Sequence, residues 1–536
     1  MTKPFFDFGG ATIIEIEGKF LPYYNMVVIT LFKNEMSFPK FKGFVKRMII
    51  QYYGKLPFYH YILKNAHIIY KVLITDLTPV RELLVHTYKP RGEKPWDPVC
   101  LFRSYWLMCQ YGDGAISNWV KTLNNPLWAI LSGFDPDDIP GIGTFYDFEK
   151  RLLDFDMGQR SERLKHKRYF KRKPAKKLKK NQKLKSRKPG VVRRITNRIL
   201  RDEDKPPTKR PEDILQLIFK YSFVLPSAQR GLLGDTDSLT IAGDGTLFAT
   251  GASHYGIKDC DCRKQGNYKC DCPRRFSDPD ANWGWDSHRE KYVFGYSNYS
   301  FTTADSPNDL PILSTLAQAS RHDSITHNFT LNQLRQLYPE FNFSKDILDS
   351  AHDNYATYEL LNHWGIEPFI ALNKTNKGNT KYTACEITVD ENGIPHCKCG
   401  HKMTFWGSDN DRYRHKWRCP HVCLKSVDCP FFDRPEGDYG RTYYTKFKDD
   451  IRIFTPTVRD SKKWKETMKK RTSSERRNDR VKIDYSLEED KVRSKSRWFI
   501  RVIMRDAAMH ADAWVKKADL SIEEWLNCWF NINQVA

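Results

Sequence analysis

A charge run restricts this chain more than any other feature. Between Arg160 and Arg210 there are 23 lysines and arginines against four acids, Glu162, Asp202, Glu203 and Asp204. Such a segment repels itself and has too few apolar residues to bury a core. It therefore divides the chain into two folded parts and is expected to be extended or disordered without a partner. Its densest stretch contains Lys171, Arg172, Lys173, Lys176, Lys177, Lys179 and Lys180. On DNA these side chains would neutralise phosphates and release counterions, giving affinity without sequence choice. The plainer reading is a solvated linker. The net charge of +23 over 536 residues also asks for an acidic partner, with nucleic acid the default. RNA-binding chains are similarly basic, so charge alone does not choose DNA.

Two further bulk properties set expectations. The start, Met1 to Phe6, lacks a basic region followed by a long apolar run, and Tyr23 to Phe32 is too short to span a bilayer. A soluble, intracellular protein with no membrane partner is expected. The 13 cysteines are odd in number and mostly lie in tight pairs. In a reducing compartment such pairs read as metal ligands rather than disulfides.

Residues 1–155 read as a mainly helical domain. Asp97 and Pro98 suit a helix start, because Asp can cap free N–H groups and Pro is tolerated in the first turn. The apolar positions Val99, Leu101, Phe102, Tyr105, Trp106 and Met108 follow, and Gly112 and Gly114 end the pattern. A second helical pattern carries Ile116, Trp119, Val120 and Leu123. Helix, glycine turn and short helix fit a helix-turn-helix DNA reader, and equally an ordinary helical packing unit. Residues 156–211 form the basic linker.

Beyond the linker, strand and helix patterns alternate, which indicates an α/β fold. Thr240–Ala249 reads as a buried strand that delivers one carboxylate, Asp244, between two glycines. Val293–Phe301 suits a neighbouring strand, Leu331–Leu337 a helix, and Ile347 and Leu348 lead into Asp349. Tyr355–Trp364 is an amphipathic helix stopped by Gly365, and Pro368–Leu372 is a further strand. Trp464–Lys482 reads as one basic helix carrying Glu475. On such a helix Arg471, Glu475 and Lys482 fall on one face at roughly 100° per residue. That face suits an acid that binds metal between two bases that touch phosphate. A surface helix with internal ion pairs would look the same.

Three acids remote in sequence, Asp244, Asp349 and Glu475, matter chemically if they converge. Phosphoryl transfer at DNA needs two hard divalent ions, Mg²⁺ or Mn²⁺, and these take carboxylate ligands rather than Cys or His. Asp353 competes with Asp349 for the second position.

Two cysteine blocks flank this set. Cys260, Cys262, Cys270 and Cys272 form CxC-x7-CxC, enough for one tetrahedral zinc, or else free thiols in a flexible loop. Cys397, Cys399, Cys419 and Cys423 form two knuckles resembling a zinc ribbon, with Cys429, His396, His401 or His421 as possible substitutes. Trp406, Tyr413, Trp417, Arg412, Arg414, Lys416 and Arg418 lie between those knuckles and suit either DNA contact or a small ribbon core. Trp283 and Trp285 suit a wedge into distorted DNA or packing under the first cysteine block.

The surroundings of Asp244, Asp349 and Glu475 resemble the catalytic core of DDE-class insertion-sequence transposases. Arg471, Glu475 and Lys482 match the Tyr-x2-Arg-x3-Glu-x6-Lys signature of one branch, with Met468 at the tyrosine position. Asp349–Asp353 resembles the second-acid motif, and His322–Asp323 a segment that recurs between the first two acids. The resemblance is loose over 85–155 and good over 230–515. It implies an RNase H-like catalytic core at 212–379 and 441–536. A cysteine excursion at 258–290 and a zinc-ribbon-like insertion at 380–440 would interrupt that core. It also implies cleavage at transposon ends followed by strand transfer, double-stranded DNA as partner, a homodimer on DNA, and a cytoplasmic, nucleoid-associated protein. A structure-selective nuclease of the same fold, or a non-catalytic DNA-binding derivative, are the alternatives.

Overall fold

The stretch Leu239–Ala249 (β1) is the centre of a six-stranded sheet in the computed structural model. The model describes residues 7–8, 11–16, 19–23, 32–54, 58–89, 92–153, 164–165, 188–207, 209–258, 260–272, 274–373, 383–384, 387–424, 439–518, 521 and 524–526. The other strands are Asn282–Asp286 (β2), Lys291–Thr303 (β3), Pro311–Gln318 (β4), Phe343–Leu348 (β5) and Glu367–Ile370 (β6). Their order is β4-β3-β1-β5-β6, with β2 added beside β3. The β1–β3 and β3–β4 pairs are antiparallel, while β5 runs parallel to both β1 and β6.

This mixed order leaves one end of β1 open on one side. β5 pairs with β1 only as far as Ala242, opposite Ile347, whereas β3 accompanies β1 through Ala249. The first half of β1 is buried on both faces, as expected of a central strand. Asp244 lies two residues past the last β5 pair, where the chain on that side has departed. The fold is therefore mixed α/β, as the alternating patterns predict.

Helices cover both faces. Among them are Pro98–Tyr111 (α1), Val191–Arg201 (α2), Asp323–Leu337 (α3), Tyr355–His363 (α4), Thr472–Asp479 (α5) and Lys495–Lys517 (α6). α1 starts and stops as its residues indicate: Asp97 accepts from the Val99 N–H at 3.0 Å, and Gly112 closes the helix at φ 86°. However, every residue from Pro98 to Cys109 is buried. α1 is thus a core element; in a helix-turn-helix the second helix is the reader, so its burial fits a packing unit and a DNA reader alike. α6 packs beside it, and Arg501 on α6 donates to the carbonyls of Asp113 and Gly114 at 3.2 and 3.3 Å. One continuous hydrophobic core runs from these N-terminal helices through α6 into the sheet.

The described end of the basic segment also departs from expectation. Instead of an extended linker, residues 191–201 form α2. Its Thr196 and Ile199 are buried, and Asn328 of α3 donates to Thr196 at 2.9 Å. Arg193 pairs with Glu359 of α4. The cause is amphipathicity: the small and apolar side chains of α2 share one stripe, and the arginines occupy the rest. The densest cationic stretch, Lys171 to Lys180, lies outside the described residues.

The later insertion contains a three-stranded antiparallel sheet of Thr404–Asp409 (β7), Arg414–Arg418 (β8) and Thr442–Lys446 (β9). Its third strand extends past the expected boundary at 440. Among the described residues, no helix is long and apolar enough to cross a membrane.

Candidate acidic site

Asp244, Asp349 and Glu475 line one cleft of about 1280 Å³, together with Arg471, Lys482 and a fourth acid, Asp323. Each arrives on a different element. Asp244 rides on β1. Asp349 follows the end of β5 and caps a short turn, accepting from the Ala351 N–H at 3.1 Å. Glu475 lies in α5, and Asp323 in the first turn of α3.

Protein donors hold the three sequence-predicted acids. Asn478 donates to Asp244 Oδ2 at 2.9 Å. Asn478 is three residues after Glu475, so the two share a face of α5, and that bond brings Glu475 to the Asp244 end of the sheet. Arg471 bridges Glu475 at 2.7 Å. His352 donates from Nδ1 to Asp349 Oδ1 at 2.6 Å, and its Nε2 faces the Tyr299 hydroxyl at 3.1 Å. Asp349 is thus oriented by a buried histidine that is itself oriented from β3.

Asp323 reaches the cleft through a missing side chain. A Cβ at Gly245 would stand 2.6 Å from the Asp323 carboxyl carbon, so only glycine admits it. Among the described residues no donor bonds its carboxylate. The glycine on the other side of Asp244 has a different cause. At Gly243 a Cβ would meet the Phe301 and Tyr299 rings at 3.0 and 3.1 Å.

The acids repel one another. Burial first, then the charges of Asp323 and Asp349, push the Asp244 carboxyl up to about 7. Burial and Asp349 raise Asp323 to about 6. Burial also acts on Asp349, but the His352 bond and charge outweigh it and hold this acid below its ordinary value. Without a cation, then, protons occupy part of the cluster near neutrality. Carboxylates are the donors a hard divalent ion takes, but among the described residues the oxygens of these acids do not gather within 4.8 Å of one another as the first cysteine block does.

Several expectations need correction here. Asp353 is not a rival acid for the cleft: it is buried in a two-pronged pair with Arg452 at 2.7 and 2.5 Å. The single helix expected over 464–482 is broken. Lys462–Lys469 is one helix, α5 begins at Thr472, and Arg480–Asp484 opens into a wider turn. Lys482 leans on Glu488 at 3.8 Å, and burial lowers its pKa. Arg471 and Lys482 still line the cleft with Glu475. Met468 does not; it faces a separate cavity beside Trp464. Trp283 and Trp285 do line the acidic cleft, rather than packing under the cysteines. Trp283 rests on His254 and Phe294, and Trp285 on Tyr292, with centroids 4.9 to 5.4 Å apart.

The residues missed in sequence are Asn478, His352 and Tyr299, which position others, and the fourth acid, Asp323. Asp323 was visible only as part of a family-like segment. Its spacing to the other acids carries no period, because it enters from another layer.

The first cysteine block closes. The sulfurs of Cys260, Cys262, Cys270 and Cys272 lie within 4.8 Å of one another. Cys260–Cys270 is 3.6 Å and Cys262–Cys272 is 3.5 Å. A tetrahedron with metal–sulfur bonds of about 2.3 Å has edges of about 3.8 Å, so the donor set fits zinc. The second block is different. Cys397 and Cys419 are buried in one small core against which Cys399 and Val422 pack. Among the described residues, however, only the first block gathers three or more metal-ligating atoms that closely. Cys429 lies outside the described residues.

No family model matches the chain, and no curated protein matches it. Among solved structures, a cryo-EM structure of a piggyBac transposase synaptic complex with hairpin DNA aligns over 87% of this chain and 79% of that one. The TM-score is 0.34 at 8% identity. At that level of likeness neither fold nor function follows from the match.

Proposed function

We propose that this chain is a DDE-class DNA transposase with an RNase H-like catalytic core. The observation that carries the reading is that Asp244, Asp349 and Glu475 line one cleft from three separate elements. The sheet order supports the core assignment: an antiparallel β4-β3-β1 half joined to a parallel β5-β6 half, with the first acid on the central strand.

Asp244, Asp349 and Glu475 are the side chains that would hold a pair of Mg²⁺ or Mn²⁺ ions, with Asp323 adding a fourth charge beside them. Such ions, when bound, activate an attacking oxygen and stabilise a leaving one. The chain's own residues set up that site. Asn478 and His352 fix two carboxylates, and the Tyr299 hydroxyl steadies the His352 ring. Arg471 and Lys482 on the rim supply positive charge to the phosphates of DNA laid across the cleft. Water attack would free a 3′-hydroxyl at a transposon end, and that hydroxyl would attack target DNA. The Cys260–Cys272 tetrad would hold structural zinc.

Asp244→Asn should abolish cleavage of end-bearing duplex while leaving DNA affinity within about twofold. A pre-cut 3′-hydroxyl end should be joined to target by the native chain. Cleavage without joining would demote the protein to a structure-selective nuclease. Full activity in Asp244→Asn would remove the enzyme reading altogether.

A further inference from the structure

The sheet β7-β8-β9 sorts its side chains by strand alternation. Register pairs His415 with Thr445 and Trp417 with Tyr443, and Phe405 lies opposite Trp417. These residues form the inner face, where Trp417 donates to Thr445 at 2.9 Å and His415 to the Thr455 carbonyl at 2.9 Å. The alternate positions Arg414, Lys416 and Arg418 of β8 therefore share the opposite face, with Tyr444 and Lys446 of β9 beside them. Asp409 is paired into this face, opposite Arg414 at 3.1 Å.

Aromatic rings hold the cations in place. Arg418 is buried, lies 4.0 Å from the Trp406 ring centroid and 3.8 Å from that of Tyr439, and donates to the Tyr439 carbonyl at 3.1 and 2.6 Å, so it braces this face rather than offering its charge to a ligand. Arg414 sits 4.2 Å from the Tyr444 ring, and Lys416 donates to the Tyr439 hydroxyl at 2.7 Å. Trp406 remains 51% exposed. Rings already covered by guanidinium groups are poor platforms for stacked bases. Fixed cations are good partners for phosphate.

We infer that this outer face is a docking surface for the backbone of duplex DNA. Arg414 is paired with Asp409, so Lys416 and the exposed Lys446, which have no acidic partner among the described residues, are the charges this face offers to phosphates. Contact of this kind positions DNA without reading its sequence. The choice of DNA over other polyanions rests on the proposed reaction, while the surface itself rests only on register and charge.

The test is the doubly substituted full chain Lys416→Ala/Lys446→Ala, with zinc retained and EDTA absent. Duplex binding is titrated over a salt series without added divalent ions, so that metal-dependent cleavage does not consume the probe. Two lost phosphate contacts should make the log–log salt slope shallower by about 1.8 and weaken unrelated duplex sequences alike. An unchanged slope, or a loss confined to single-stranded DNA or to one sequence, overturns the inference. A near-ultraviolet dichroism spectrum matching the native chain confirms that the variant is folded. Should it not match, Lys446→Ala alone, at an exposed position, must still reduce the slope by about 0.9. If native chain lacks strand transfer yet the variant shows the shallower slope, the reaction assignment fails and the surface stands.

Discussion

Asp244 and Asp323 make the cleft sensitive to pH. Both folded-state pKa values are raised, to about 7 and about 6. Each folded carboxyl binds its proton more tightly than the unfolded chain does. Their protonated forms therefore favour folding at low pH, and this stability is lost as pH climbs from the ordinary carboxylate range through about 7. Divalent ions compete with the same protons. Mn²⁺ affinity measured by calorimetry should rise about tenfold per pH unit between 6 and 7 and more steeply below 6. Affinity that is flat from pH 5 to 8 would contradict this. Asp323→Asn removes one repelling charge, so the midpoint of this pH dependence should move down. A midpoint that stays in place would mean that Asp323 does not share the field of Asp244. Gly245→Ala should act in the same sense, because its methyl group displaces the Asp323 carboxylate.

At the scale of elements, legibility followed periodicity. The apolar run of β1 and the amphipathic pattern of α4 found their strand and helix, because burial of one face leaves a repeat in the residues. The break between Lys469 and Thr472 left no such mark. Arg471, Thr472, Ser473 and Ser474 include no Gly or Pro, and tertiary contacts decide the geometry there: Ser473 meets Thr302 at 3.2 Å, and Arg476 grips Asp309 at 2.7 and 2.6 Å. The cysteine blocks show the limit of spacing. CxC-x7-CxC closed into a tetrad, whereas the more ribbon-like pair of knuckles did not gather as closely. The tetrad predicts a thermal consequence. Four thiolates this close need a cation, so a zinc chelator or Cys262→Ser should release metal and make the 258–290 excursion protease-sensitive, while the sheet stays folded. Mass spectrometry showing no zinc on the native chain would overturn this assignment.

Across the whole molecule, α6 joins what the charge run in sequence divides. In sequence its residues are only the tail of the expected catalytic core, since a helix buried along most of its length that also buries Arg501, Arg505, Asp506 and His510 does not announce its neighbours through an apolar period alone. It touches the N-terminal helices through Arg501, the sheet through His510 and the Pro311 carbonyl at 2.7 Å, and α5 through Asp506. Arg477 meets Asp506 at 2.5 Å with both side chains fully buried, and Ser314 of β4 donates to Asp506 at 2.6 Å. This pair locks the helix that carries Glu475 onto the common core. Removing one partner leaves a charge without solvent or counter-charge, so Arg477→Met should cost about 3–5 kcal/mol. Denaturant titration would register the loss as a lower midpoint. The double variant Arg477→Met/Asp506→Leu removes both charges and should regain most of that stability. Cleavage should not return in full, because apolar contact does not fix the register of α5 on α6 as the Arg477–Asp506 bonds do, even with Arg476 still on Asp309 and Asn478 still on Asp244. Recovery of both stability and cleavage in the double variant would show that the buried pair serves folding only, and that the position of Glu475 is set elsewhere.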